Sequence, residues 1–311
     1  MILELRRRGL QYFRFNTEDL PSRCRIIWEG PSVDGAWIQT KGKSPLQISS
    51  VSSVWYRRPK GPSLLENITD KSVQLFVAEE NDAVLTNLWR CLERPRWVSR
   101  PERIRDASHR MSQLELAKMI GFRVPKTIVS NDLAALVGFY DRFRGDVVAK
   151  TLHHQSARTG DSYLIYTTRI SRADLTVESV NTPVMLQEYI PKAREFRATV
   201  IGRKVFSVAL DSQAVPEAQI DWRLATSEVP HTYTKLPELV SQALIEMTDR
   251  LGLLFGAFDL IETTSGDVVF LELNPNGQWA WLEQLTGVPM REALIDLLVT
   301  GESSANSCRS L

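Results

Sequence analysis

The stretch that most limits how this chain can fold is Phe255 to Gly277, FGAFDLIETTSGDVVFLELNPNG. Two runs rich in β-branched and aromatic residues flank Thr264-Ser265-Gly266-Asp267, which reads as a tight hairpin turn. With Ser265 and Gly266 as the loop residues, Thr264 pairs with Asp267, and counting outward sets Asp259 opposite Glu272. Strand side chains alternate faces, so Asn274 shares the face of Glu272, one step further on. Ala257, Ile261, Val268 and Phe270 complete that face and are all apolar, which points it away from water. Two carboxylates facing each other across a ladder repel. A cation resolves the conflict. Three oxygen ligands on a rigid sheet suit Mg2+, which binds few protein groups and completes its shell with phosphates and water. The competing reading is an ordinary hairpin with solvated charges, and the apolar company of the three polar residues disfavours it.

A chain of 311 residues exceeds the usual single core, so two or three compact units are expected. Hydrophobic residues at 43% and charged residues at 24% fit an ordinary soluble globular protein. The formal net charge of +1 argues against a general binder of nucleic acid or membrane surfaces. Cys24, Cys91 and Cys308 are widely spaced and form no CxxC pair, which suggests neither a disulfide framework nor a zinc site and fits a reducing cytoplasm. No apolar run approaches a membrane span, and no signal peptide precedes the first polar segment.

Met1 to Gly9 reads as the end of an amphipathic helix stopped by glycine, and Leu10 to Phe15 as a strand. An α/β unit would place a strand before that helix, so a first strand is expected to be missing. Further strands are expected at Arg25–Trp28, Ala36–Thr40 and Val51–Tyr56, the last running into Arg57-Arg58-Pro59-Lys60. Ligands of open α/β sheets collect at the carboxyl ends of strands, so Arg57-Arg58 is placed to receive an acidic group; a solvated turn fits the chemistry equally. Helices are expected over Thr69–Leu92, and a domain boundary falls near Pro101.

Beyond it come a helix Ala107–Ile120, a strand Val124–Val129, and a helix capped by Asn131-Asp132. Asp146–Thr151 reads as a buried strand interrupted by Lys150, and buried lysines are usually paired or functional. Leu152–Asp161 is a polar, mobile loop whose His153 and His154 are better read as solvated than as metal ligands. Val184–Ile190, VMLQEYI, stops at Pro191, and a second hairpin turns through Gly202-Arg203. Arg197 is the residue in that hairpin with least structural justification, and Asp221-Trp222-Arg223 lies in a loop. A helix Pro237–Leu251 leads into the opening hairpin, helices Trp279–Leu285 and Met290–Thr300 follow, and the tail Glu302–Leu311 is expected to be disordered.

Neither GxxxxGK[ST] nor GxGxxG after a first strand is present, so the two commonest phosphate cradles are absent. What remains is a hairpin Mg2+ site with Lys150, Arg197 and Arg223, enough to neutralise a triphosphate and the charge of phosphoryl transfer.

The order of elements resembles the ATP-grasp fold. That resemblance implies an α/β (α+β) chain with a pre-ATP-grasp α/β domain at 1–100, a central subdomain at 101–183, and a C-terminal subdomain with the metal site at 184–301. ATP would lie between the two α+β subdomains. On the same resemblance Lys150 in VVAK is the phosphate lysine, and Arg110 stands where the family usually has a further phosphate-contacting lysine. Gln187, Glu188, Tyr189 and Ile190 match the strand that hydrogen-bonds adenine, Glu195 the ribose acid, and Asp259, Glu272 and Asn274 the metal ligands. Leu271 would lie under the adenine, although a core leucine explains it equally; the loop after Lys150 carries only Gly160 where many members have more glycines.

A narrower resemblance rests on VWYRRP at Val54–Pro59, on FRFN near the start, and on FGAFDLI followed by FLELNPNGQW. These are similar to the ATP-grasp maturases of ribosomal peptides, the microviridin-type or graspetide ligases. The resemblance implies an ATP- and Mg2+-dependent ligase acting on a precursor peptide with a leader segment. Asp or Glu side chains would be phosphorylated, then attacked by Thr, Ser or Lys to give ester or amide rings. Arg223, with Arg197, would stabilise the acyl phosphate and its tetrahedral successor. A cytoplasmic homodimer that engages neither nucleic acid nor membrane is implied. No enzyme nucleophile is needed, and no Ser-His-Asp or Cys-His constellation stands out. One rival is a ligase adding a free amino acid, such as glutamate, to a protein terminus or small molecule; VWYRRP weakly disfavours it. Another is a non-catalytic nucleotide-binding regulator, disfavoured by the full Mg2+ set and extra arginines.

Overall fold

The computed structural model describes residues 1–63, 68–152 and 166–301. His153, His154, Gly160 and most of their expected loop, together with the tail expected from Glu302, lie outside the described residues. The chain divides into two compact units, one of Met1–Pro101 with the stretch from Leu294, the other of Glu102–Ala293.

The first unit opens with α1 (Ile2–Arg7) and then pairs β1 (Cys24–Trp28), β2 (Ala36–Thr40) and β3 (Leu46–Gln47) in an antiparallel sheet. β4 (Ser53–Trp55) runs parallel to β5 (Arg96–Val98), and α2 (Lys71–Cys91) connects them. The α2 start is set by Asp70, whose carboxylate accepts the N–H groups of Ser72 and Val73 at 2.7 and 3.2 Å. Leu85 and Leu88 of α2 meet Cys24, Ile38, Ile48 and Trp97 in the core. Leu10–Phe15 forms no strand, contrary to the sequence expectation. The segment finds no ladder partner among the described residues, and Phe13 and Phe15 pack into this core instead. Arg57 follows β4, where burial and the neighbouring Arg58 push its pKa down to about 10.

The second unit begins with α3 (Pro101–Ala107) and α4 (Arg110–Ile120), the latter ended by Gly121 in the left-handed region at φ +106°. β6 (Thr127–Ser130), α5 (Leu133–Arg142), β7 (Val147–Lys150), β8 (Thr168–Arg169) and β9 (Val184–Glu188) follow, and the strands form one sheet in the order β6-β9-β7-β8. A five-stranded antiparallel sheet takes the rest: β10 (Lys192–Ile201), β11 (Lys204–Leu210), β12 (His231–Thr234), β13 (Phe255–Thr263) and β14 (Val268–Asn274), ordered β12-β11-β10-β13-β14. β12 has no counterpart in the sequence expectations. α6 (Glu238–Arg250) covers one face, its Leu244 and Met247 packing with Phe258, Phe270 and Leu273. α7 (Ala280–Thr286) and α8 (Met290–Thr300) end the described chain.

The β13–β14 ladder places Asp259 opposite Glu272 and Ala257 opposite Asn274. The route to that register differs from the simple count. Thr263 N–H donates to Asp267 O at 2.9 Å, and Gly266, at φ +88°, closes a three-residue loop by donating to Thr263 O at 3.0 Å. Glu262 then pairs with Val268 and Leu260 with Phe270, before a bulge at Leu271 restores the register. The wider loop and the bulge cancel. One expectation is corrected as a result: Val268 and Phe270 lie on the face opposite the carboxylates, Phe270 in the core, and Val269 joins Ile261 instead. A second bulge, at Ala193, pairs Lys192 with Thr263 and Arg194 with Glu262.

Candidate active site

A pocket open to solvent lies in the second unit, lined by strands of both of that unit's sheets. One end is apolar, walled by Pro125, Val148, Ile190, Ile261 and Leu271; the other holds Lys150, Asp221, Arg223, Asp259 and Glu272, with Gln187, Lys192 and Glu195 also lining it. A flat apolar group and a multiply charged one can therefore bind side by side.

At the apolar end β9 runs out into Tyr189 and Ile190. Glu188 N–H donates to Lys126 O at 3.0 Å and Tyr189 N–H to Asp146 O at 2.8 Å, whereas Ile190 N–H takes no backbone partner among the described residues. Gln187 donates through Nε2 to Thr127 Oγ1 at 2.9 Å, and its buried Oε1 has no partner among the described residues. Arg169 lies 4.4 Å from the centroid of the Tyr189 ring. Leu271, the bulge residue, packs beside Ile190, Ile261 and Val269.

Glu195 is 5% exposed, and burial raises its pKa against the pull of Lys192, whose Nζ donates to Glu195 Oε1 at 2.8 Å. Lys192 also donates to Ile220 O at 3.2 Å. The bulge at Ala193 is what turns Lys192 toward Glu195, since residues three apart on a regular strand face opposite ways.

Each hairpin carboxylate meets an arginine. Arg197 Nη1 lies 2.7 Å from Asp259 Oδ1, its cross-strand neighbour, and Arg110 Nη2 from α4 lies 2.8 Å from Glu272 Oε2. Burial nevertheless pushes the Asp259 pKa up to about 6, against the favourable field of Arg197. Lys150 is partly buried, and burial lowers its pKa while Glu272 pulls the other way. Arg110, Arg197 and Asn274 do not line the pocket. The two arginines stand behind the carboxylates, and Asn274 Oδ1 accepts Asn276 N–H at 3.1 Å. Among the described residues no group of three or more His, Cys, Asp or Glu forms a metal-ligating cluster. A cation held by Asp259, Glu272 and Asn274 would complete its shell with substrate and water oxygens, as Mg2+ does.

Sequence reasoning missed several lining residues, among them Lys192, Asp221 and Trp222. Asp221 and Trp222 were read as loop, and the signal that separates Asp221 from other loop acids is its place two residues before an arginine, in N-cap position to a short 3-10 helix, Trp222–Ala225.

The fold and this pocket define an ATP-grasp ligase. The MvdD pre-ATP grasp domain family matches residues 1–105. Macrocyclase MdnB from Microcystis aeruginosa MRC is 30% identical, covering 96% of this chain and 93% of its own at a TM-score of 0.80. Macrocyclase MdnC from the same organism, bound with precursor peptide MdnA, is 28% identical over 97% of this chain and 95% of its own, with a TM-score of 0.85. A RiPP-associated ATP-grasp ligase of Chryseobacterium gregarium, in complex with ADP and a leader and core peptide, is 26% identical over 96% and 91% of the two chains, also at 0.85. Among curated proteins, the tetrahydromethanopterin:alpha-L-glutamate ligase of Methanococcus maripaludis is 28% identical over 182 residues, so this chain spans 58% of that relative's length and 55% of its own is matched. The chain belongs to the ATP-grasp maturases of ribosomal peptides, the microviridin-type or graspetide macrocyclase ligases. No helix among the described residues is long and apolar enough to cross a membrane.

Proposed function

We propose that the protein uses ATP and Mg2+ to activate Asp or Glu side chains of a precursor peptide and joins them to Thr, Ser or Lys side chains of that peptide. The observation that carries this reading is one pocket with an apolar slot at one end and, at the other, Lys150 and Arg223 beside two ladder-paired carboxylates. The adenine would enter between Leu271, Ile261 and Val148, taking the Ile190 N–H. Glu195 would accept from the ribose hydroxyls. Lys150 would hold phosphate oxygens, its buried charge gaining the partner that burial demands.

The residues present fit the cation. Burial raises the Asp259 carboxyl although Arg197 touches it, so a cation beside it would offset the cost of burying that charge. Asp259, Glu272 and Asn274 would hold Mg2+, which would supply positive charge against the phosphates. Arg197 and Arg110 hold and orient the two carboxylates from behind. In the chemical step a peptide carboxylate oxygen bonds to the γ-phosphorus as the bond to ADP breaks. A hydroxyl or amine of the peptide then attacks the acyl carbon, phosphate leaves with the electron pair, and the displaced proton passes to solvent. Arg223 faces the reacting groups and stabilises their negative charge.

Support for a peptide substrate comes from MdnC and the Chryseobacterium ligase, both solved with peptides. Asp259→Asn should remove candidate-peptide-dependent release of ADP; an unchanged rate in the variant would sink the scheme. A second reading, addition of a free amino acid, draws on the likeness to the glutamate ligase. ADP release with free amino acids and no peptide would favour it.

A further inference from the structure

Among the buried carboxylates of the pocket, Asp221 is the one for which the scheme above has no task. It is 4% exposed, and both of its oxygens are engaged. Oδ1 accepts Arg223 N–H at 3.1 Å and Arg223 Nε at 2.7 Å; Oδ2 accepts Arg223 Nη2 and the Thr167 N–H, the latter at 2.9 Å. Four donors saturate a carboxylate, so it has no free lone pair for a metal or for an incoming proton. Burial would raise its pKa, yet the Arg223 guanidinium outweighs burial and holds it below the ordinary carboxylate value. A saturated, ionised acid is a poor base and a good anchor.

The anchor is itself fixed. Lys192 holds Ile220 O, one residue upstream, at 3.2 Å, and Trp222, one residue downstream, stacks on Trp281 of α7 with centroids 5.3 Å apart and planes 25° apart. Arg223, by contrast, keeps 38% of its side chain exposed, and an unpaired side chain of that length would sample many rotamers. Bidentate pairing removes that freedom and leaves its remaining N–H donors pointing away from Asp221. Arg223 lines the same pocket as the hairpin carboxylates Asp259 and Glu272.

We propose that Asp221 is a positioning residue that acts through Arg223, presenting its guanidinium to the terminal phosphate of the bound nucleotide. The proposal rests on the nucleotide reading above and is independent of which acceptor the enzyme uses. It is tested by a double-mutant cycle on the full chain, reading calorimetric affinity for ADP and for AMP-PNP in the presence of Mg2+. Asp221→Asn should hold ADP affinity within about twofold and weaken AMP-PNP about 10–100-fold, as loss of an orienting outer partner does. The double variant should bind AMP-PNP no more weakly than Arg223→Ala alone. Additive losses would overturn the proposal, because Asp221 would then act by another route, for instance through Thr167. Parallel loss of ADP affinity, or an Arg223→Ala chain that binds AMP-PNP normally, would overturn it as well. If Asp221→Asn does not fold, Asp221→Glu, which keeps the charge but moves it by a methylene, takes its place in the cycle with the same expected pattern. Misfolding of both would make Asp221 a fold determinant and end the proposal. Wild-type turnover with a candidate peptide is scored separately: its absence counts against the macrocyclase reading and leaves the cycle intact.

Discussion

Every carboxylate at the charged end of the pocket has a cation of its own: Asp259 has Arg197, Glu272 has Arg110, Asp221 has Arg223, and Glu195 has Lys192. Lys150 then leaves one positive charge in excess, a balance suited to a polyanion arriving with a divalent cation. Asp259→Asn or Glu272→Gln should keep the fold yet lower Mg2+-dependent turnover by about 10²–10³, the usual cost of removing one electrostatic stabiliser. Steady-state ADP release measures this, and full activity in both variants would contradict the metal assignment. Gly277 matters at the same scale. A Cβ there would lie 2.6 Å from Ala257 Cβ and 2.7 Å from Arg197 Nη2, so Gly277→Ala should lose about 1–3 kcal/mol of stability. A urea midpoint equal to wild type would show that the turn after β14 gives way at no cost.

Two bulges decide what the strands present. The Asp259–Glu272 pairing was legible in the sequence because a three-residue loop and a bulge at Leu271 return the same offset as the plain two-residue turn. The face membership of Val268 and Phe270 was not, because between turn and bulge the ladder is one residue out of step. Lys192 was hidden for a similar reason: without the bulge at Ala193 it would point away from Glu195. Bulges have no strict composition rule, so periodicity cannot place them. Leu271 itself stands outside the regular ladder while flooring the pocket. Leu271→Ala should therefore weaken ADP binding by about 1.5–3 kcal/mol of lost apolar contact, with little change in melting temperature. A large drop in melting temperature with normal ADP affinity would make it a plain core leucine.

At the scale of the whole molecule, the long helices and the two hairpins of the second unit were legible from hydrophobic pattern and turn residues. The short strands β5 and β12 were not, since three or four residues carry too little pattern to rise above loop. The pocket was legible as a set of parts, with Lys150, the QEYI strand, Glu195 and the hairpin falling around one cavity. Asp221 was not, because its place two residues before an arginine was its one sequence mark and the segment was read as loop. Since the nucleotide binds only the folded chain, Mg2+-ADP at about a hundred times its dissociation constant should add about 2.7 kcal/mol of stability; thermal melts with and without nucleotide read this directly, and no shift would argue against a nucleotide pocket. The central claim, that the protein closes rings in a ribosomal peptide, is tested most directly by mass spectrometry. A candidate precursor with its leader, carrying Thr/Ser and Asp/Glu motifs, is incubated with the protein, ATP and Mg2+. The expected product has lost one water per ring, and the loss is absent with Asp259→Asn. ADP formed without any loss of water from the peptide, or a peptide gaining the mass of a free amino acid, would contradict it.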